Sequence, residues 1–216
     1  QVSWECDRIS ALRSGARTPT QVVVYDAHSG ERTVVEVGPL GEWIDDELVE
    51  PELVEIATDD GAVVHARLYR ADASTRVLVW LHGGPTDQWQ VTWMPRIAHW
   101  RSRGWNVLVP DHRGSTGHGR AYQQAMQGRW GALDVADTLA AVRHAHGAGL
   151  GAPSTTVVMG GSAGGFTALG AVAADPALFA ACVVAYPVTD LVDLAERSHR
   201  FERHSTDGLV GRSEEH

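Results

Sequence analysis

Residues 155–166 read Thr155-Thr156-Val157-Val158-Met159-Gly160-Gly161-Ser162-Ala163-Gly164-Gly165-Phe166, and they run into the small-residue stretch 167–174. The segment 155–159 is β-branched and apolar, as a buried strand requires, whereas 163–174 has the composition of a closely packed helix. Between them, Gly160-x-Ser162-x-Gly164 predicts a sharp strand-to-helix turn with a serine at its tip. Glycines at 160 and 164 let strand and helix approach without Cβ collisions. The free N–H groups at the start of the helix favour negative charge developing beside the serine. Ser162 is therefore the candidate nucleophile.

Working outward, strand and helix signals alternate. Strands are expected at Val77–Leu81, 105–109, 155–159 and 180–185, with helices at 93–103, 134–146 and 163–174. Continuous Val/Leu strands separated by helices predict an α/β architecture, a mostly parallel sheet with helices on both faces. Residues 53–58 and 63–69 flank Asp59-Asp60-Gly61 and open this sheet as a hairpin. With the serine turn, the pattern predicts part of an α/β-hydrolase fold. The first fifty residues read differently: 22–25 and 33–37 are short β runs around the turn Asp26-Ala27-His28-Ser29-Gly30, and 2–5 is a further candidate strand. The expected boundary separates residues 1–50 from a domain at 51–216.

Two loops follow earlier strands. Leu81-His82-Gly83-Gly84-Pro85 comes directly after an apolar strand. Acyl transfer needs two N–H donors aimed at the oxyanion: one from the residue after the nucleophile, Ala163, the other from such a glycine-rich loop. Gly84 fits the second role, because Pro85 has no N–H. The loop Asp111-His112-Arg113-Gly114-Ser115-Thr116-Gly117-His118-Gly119-Arg120 follows the next strand, at the edge where ligand-binding loops gather. It reads either as a ligand loop or as one held by a buried pair of Arg113 with Asp111.

Composition removes several classes. The net charge of −9 opposes a nucleic-acid partner. The absence of lysine excludes a Walker-type loop, a Schiff base and a pyridoxal-phosphate site from this stretch. Apolar runs are strand-sized, so no membrane span is expected. Cys6 and Cys182 match no metal spacing, and Cys182 reads as a buried, inert thiol. His144 and His146 are two apart on a helix and cannot share a face. Residues 147–152 match a dinucleotide fingerprint only formally, since they follow a helix and precede a strand. Neither a cofactor nor a metal is expected. Trp89, Trp93, Trp100 and Trp105 read as packing residues, with Trp89 the one able to line a substrate pocket. The default compartment is cytoplasmic. The first methionine is Met94, so the natural N-terminus is expected upstream.

His-Gly-Gly-Pro at 82–85, the Asp111–Arg120 loop and Gly160–Phe166, in this order and spacing, resemble the prolyl oligopeptidase family, closest to its acylaminoacyl-peptidase and dipeptidyl-peptidase-like members. Trp130-Gly131, Asp134 and Asp137 resemble the helix before the nucleophile strand, and 186–191 and 199–202 the segment after it. The resemblance implies Ser162 as nucleophile, with an oxyanion hole from the N–H groups of Ala163 and Gly84. It also implies that residues 1–50 are the end of a β-propeller and a linker. The implied activity is hydrolysis of short or N-acylated peptides through an acyl-enzyme, with a peptide or acyl-peptide as partner. A carboxylesterase using the same turn is the alternative within this chemistry. A non-catalytic scaffold is the alternative outside it. The family's triad acid and base lie well downstream of the nucleophile, and only 54 residues follow Ser162. Both are expected beyond His216, which leaves this chain alone inactive. Asp190, His199, His204 and His216 are the nearest substitutes.

Overall fold

The computed structural model describes residues 2–40, 48–191, 193–194 and 208–209. They form two compact units, Gln1–Pro51 with Gln90–Arg103, and Glu52–Trp89 with Gly104–His216.

The first unit is a four-stranded antiparallel sheet in sequential order: β1 (Val2–Glu5), β2 (Arg8–Gly15), β3 (Thr18–Asp26) and β4 (Arg32–Val37). The turn between β3 and β4 is organised by Asp26, whose Oδ1 accepts the N–H groups of His28 and Ser29 and the hydroxyl of Ser29. A carboxylate bonding to the backbone just ahead of it is the standard reason for aspartate in turns. β2 is absent from the sequence expectation because Arg8-Ile9-Ser10-Ala11-Leu12-Arg13 has no apolar continuity; the strand is half-buried along most of its length. Helix α1 (Pro95–Ser102) belongs to this unit, with Trp93 N–H donating to Ser14 Oγ at 3.0 Å just before it. The expected helix at 93–103 is therefore present, two residues shorter at its start because Pro95 sets the first helical position.

The second unit is a six-stranded sheet of β5 (Glu52–Ala57), β6 (Val63–Tyr69), β7 (Val77–Leu81), β8 (Asn106–Asp111), β9 (Thr156–Gly161) and β10 (Ala181–Ala185). Their spatial order is β10-β9-β7-β8-β6-β5. The pairs β10–β9, β9–β7 and β7–β8 are parallel, and β6 and β5 extend the sheet antiparallel. The four strands expected to be parallel in one sheet are so. Helix α3 (Leu133–Gly147) follows the short α2 (Arg120–Gln124), and α4 (Ala163–Ala174) follows β9. α3 and α4 touch each other and pack over the sheet, α3 at β5 and β6, α4 at β7, β9 and β10. Every residue of β7 and β8 is buried, which explains their unbroken apolar runs. The core joins Val77, Val79, Leu81, Leu108 and Val158 to Ala141, Ala145 and Ala168 of the helices.

This topology marks a candidate position for a site. The chain leaves β7 towards β8 on one side, and leaves β9 towards β10 on the other. The direction of winding thus reverses between the neighbours β7 and β9, and in such sheets ligands bind beyond the C-terminal ends of the strands at that reversal. Those two ends carry His82–Pro85 and Ser162.

Two smaller expectations need correction. Cys182 is half-buried rather than buried, because β10 is the outermost described strand of its sheet; burial still pushes its thiol pKa up. Gly208 and Leu209 are helical, in a stretch whose sequence reads as loop. Their carbonyls accept the N–H groups of Gly128 and Trp130.

Candidate active site

Ser162 is exposed and stands between β9 and α4 with φ 54° and ψ −125°. For a residue with a Cβ this backbone is strained, and strain of that kind persists only where the surroundings over-determine it. Here they do. The N–H of Ser162 donates to Ala185 O, while its carbonyl accepts from the N–H groups of Gly165, Phe166 and Val188. The two glycines of the motif are required sterically. A Cβ on Gly160 would stand 2.3 Å from Gly164 O, and one on Gly164 would stand 2.4 Å from His82 O.

The second contact ties the elbow to the loop after β7. A Cβ on Gly83 would lie 3.7 Å from Ser162 Cβ, so this loop runs directly beside the candidate serine. Gly84 has φ +124°, a conformation that favours glycine, and a Cβ there would meet Thr86 N at 2.7 Å. His82 anchors the loop from below. Its Nδ1 lies 2.7 Å from Gly83 O and its Nε2 2.7 Å from Ser115 Oγ; Ser115 donates to His112 O at 2.7 Å. Those three contacts need three hydrogens, whereas a neutral imidazole and a hydroxyl supply two. An imidazolium would satisfy all three. Burial, and then the stacked His112 ring 4.6 Å away, oppose the charge and push the His82 pKa down to about 4. Both effects favour the neutral ring.

The loop after β8 is held by ions. Arg113 forms a two-pronged pair with Asp137 of α3, with Nη2 2.6 Å and Nε 3.1 Å from Oδ1, and its Nη1 reaches Asp60 at 2.6 Å. The backbone N–H of Arg113 also donates to Asp137 Oδ2. These partners raise the guanidinium pKa, with Asp137 the largest cause, and Arg113 holds the Asp60 carboxyl well below the usual carboxylate range. Asp111 pairs instead with buried Arg67 and, at 3.0 Å, with His118. The expected Arg113–Asp111 pair is therefore replaced by two separate ones: Asp111, the last residue of β8, is taken by Arg67 from the neighbouring β6, while Arg113, in the loop beyond the strand, reaches Asp137 of α3 and Asp60.

A cavity of about 580 Å³ opens over the elbow, and Ser162, Ala163 and Gly84 all line it. Its apolar wall includes Trp130 and Val188, and Gln127 lies on the polar side. Trp130 packs edge-on against Phe166 at 5.4 Å. The tryptophan on the cavity is thus Trp130 rather than Trp89, which instead packs against Trp80 at 5.8 Å. Sequence reasoning missed the glutamine side and the His82–Ser115 anchor; an exposed Gln-Gln pair and a serine in a glycine-rich loop carry no periodic signal. His199, His204 and His216 lie outside the described residues. Among the described residues no cluster of three or more His, Cys, Asp or Glu is arranged to hold a metal, and no helix is long and apolar enough to cross a membrane.

The Prolyl oligopeptidase family profile matches residues 89–216, more than half of the chain. Over 147 residues the chain is 34% identical to dipeptidyl peptidase family member 6 of Caenorhabditis elegans, spanning 68% of this chain and 20% of that protein. It is 35% identical over 114 residues to the acylamino-acid-releasing enzyme of Arabidopsis thaliana, spanning 53% of this chain and 15% of that one. Among solved structures, a puromycin-hydrolyzing peptidase of Mycobacterium tuberculosis superposes with a TM-score of 0.92 at 28% identity, over 100% of this chain and 35% of the other. A puromycin hydrolase superposes with a TM-score of 0.89 at 30% identity, over 99% of this chain and 34% of its own. The chain spans a fifth or less of these two curated relatives and about a third of the solved structures.

Proposed function

The chain belongs to the prolyl oligopeptidase family, and from that premise we propose that it carries the nucleophile and oxyanion hole of a serine peptidase that hydrolyses short or N-acylated peptides. The observation that carries this reading is Ser162 itself: a non-glycine residue at φ 54°, exposed at a helix N-terminus, lining the same cavity as Ala163 and Gly84. In the reaction, Ser162 Oγ attacks the scissile carbonyl carbon and gives its proton to a general base. The N–H groups of Ala163 and Gly84 take the oxyanion, the amine leaves with the proton, and water hydrolyses the resulting ester. Each such donor is worth roughly 10²–10³ in rate.

Substrate size is supported by the relatives, which are named for releasing acylamino acids, for dipeptidyl peptidase activity and for hydrolysing puromycin. The antiparallel sheet at β1–β4 supports reading residues 1–50 as the end of a propeller that would restrict access to short chains. The base and its orienting acid are assigned to sequence beyond His216, in keeping with the share of its relatives that the chain spans.

The test is covalent. A fluorophosphonate should label the full-length protein at Ser162, and Ser162→Ala should abolish labelling; persistent labelling would move the nucleophile elsewhere. The isolated 216-residue chain should not turn over p-nitrophenyl butyrate or an acyl-alanine anilide. Turnover lost in Ser162→Ala would place a base within it. In the full-length protein, preference for the anilide over the ester separates the peptidase from a carboxylesterase.

A further inference from the structure

Asp134, the second residue of α3, is fully buried, and among the described residues no cation pairs with it. Its Oδ1 accepts the N–H of Gly131 at 2.7 Å, and its Oδ2 lies 2.5 Å from Thr167 Oγ1. Thr167, also fully buried, sits on α4 one turn after Ala163, and its Oγ1 is 3.1 Å from Ala163 O. The threonine has a single hydroxyl hydrogen facing two acceptors. If Asp134 is a carboxylate, that hydrogen goes to it, and a full negative charge stays buried with no cation, facing Thr167, the Gly131 N–H and the N–H groups of Asp134 and Val135 at the start of α3. If Asp134 carries a proton, it donates to Thr167 Oγ1, and the hydroxyl hydrogen is free for Ala163 O.

The surroundings decide between the two. α4 contributes no charged or titratable side chain at all. Asp137, one turn along α3, is committed to Arg113; Arg129, Asp190 and Asp193 on the adjoining segments are exposed. The N-terminus of α3 favours the anion, but desolvation without a cation is the larger effect. We propose that Asp134 is a positioning residue that works as a neutral acid, linking Gly131 and the Trp130 wall through Thr167 to the Ala163 carbonyl. The first turn of the nucleophile helix is then held without a negative charge near the hole that must receive an oxyanion. Burial pushing the Asp134 carboxyl pKa upward agrees with this.

The proposal rests on the proposed function only for its kinetic arm. Asparagine mimics the neutral acid, with an N–H₂ for Thr167 and a carbonyl for Gly131, while leucine keeps the volume and removes both bonds. The infrared spectrum of the wild type at neutral pH should contain a protonated carboxylic-acid band that Asp134→Asn lacks. An acid whose folded pKa is raised stabilises the fold below its unfolded pKa, and that stability is lost as pH rises through the folded pKa. The thermal midpoint of the wild type should therefore fall relative to Asp134→Asn as pH rises. In the full-length protein, fluorophosphonate labelling of Asp134→Asn should stay within about a factor of three of wild type. For folded Asp134→Leu it should drop about tenfold or more, below the 10²–10³ of a lost oxyanion donor. Absence of the band, with Asp134→Asn as impaired as Asp134→Leu, would overturn the proposal by showing that the carboxylate is needed. If the wild type is not labelled at all, the proposed function fails, and the infrared and pH-stability results still decide the state of Asp134.

Discussion

Two loops leave the C-terminal ends of neighbouring strands and bury polar side chains in opposite ways. The loop after β8 is fixed by full charges, Arg113 with Asp137 and Asp60, and Asp111 with Arg67. The loop after β7 and the elbow beside it are fixed by neutral contacts: His82 with Ser115, Asp134 with Thr167, and glycine backbones packed atom to atom. The difference follows what each must do. A loop that only has to stay in place can be held by ions, provided every charge is paired. On the proposed function the elbow receives developing negative charge, which oriented dipoles can stabilise and a buried anion close by would oppose.

Breaking the charged side should have the largest effect on stability. Asp137 is fully buried and receives three of the Arg113 hydrogen-bonding groups, its backbone N–H included. Asp137→Ala leaves a largely buried guanidinium with Asp60 alone, and the expected loss is about 3–5 kcal/mol in chemical denaturation. Replacing both partners by apolar residues, Arg113→Met with Asp137→Leu, should cost less than the single change, because no unpaired charge remains. If the double variant is the less stable of the two, the pair contributes more than its own desolvation cost.

The neutral side is more sensitive to acid. His82 has its folded pKa lowered to about 4 from an ordinary 6.5, so its contribution is complete above pH 6.5 and is lost as pH falls through 4. A shift of that size is worth about 3 kcal/mol across the window. His112, also lowered by burial, acts in the same direction. Thermal midpoints followed from pH 7 to pH 4 should fall in the wild type, and His82→Gln should flatten that fall without abolishing it. An unchanged slope in the variant would mean that the imidazole is not held neutral by its buried site.

The sequence makes this contrast only half visible. The elbow is legible at 155–166 because strand, glycine spacing and helix all occur within twelve consecutive residues, and the parallel sheet is legible because both-face burial leaves unbroken Val/Leu runs. The partners of Arg113 are not legible. Asp137 and Asp60 lie 24 and 53 residues away, on α3 and on the β5–β6 turn, and nothing local marks them against the adjacent Asp111. Trp130 replaces Trp89 on the cavity for a similar reason: which face of a turn looks inward depends on where α4 places Phe166. β2 escaped notice because a half-buried strand needs no continuous apolar run. Local chemistry is written locally; the pairing of buried polar groups depends on topology.

The smallest expected effect serves as the control for that comparison. Arg143 of α3 and Asp175, just past α4, form an ion pair at 3.2 Å whose side chains are 51% and 32% exposed. It joins the same two helices that Asp134 and Thr167 join, but at the surface, where water solvates both partners in either state. Exposed pairs of this kind contribute about 0–1 kcal/mol, and salt screens them. Arg143→Ala should therefore shift the denaturation midpoint little, and the shift should shrink further in 0.5 M salt. Asp137→Ala should keep most of its effect in the same salt, since its partner is buried. If Arg143→Ala costs as much as Asp137→Ala, burial is not what separates the two pairs, and the ions around Arg113 have no special place in holding the loop after β8.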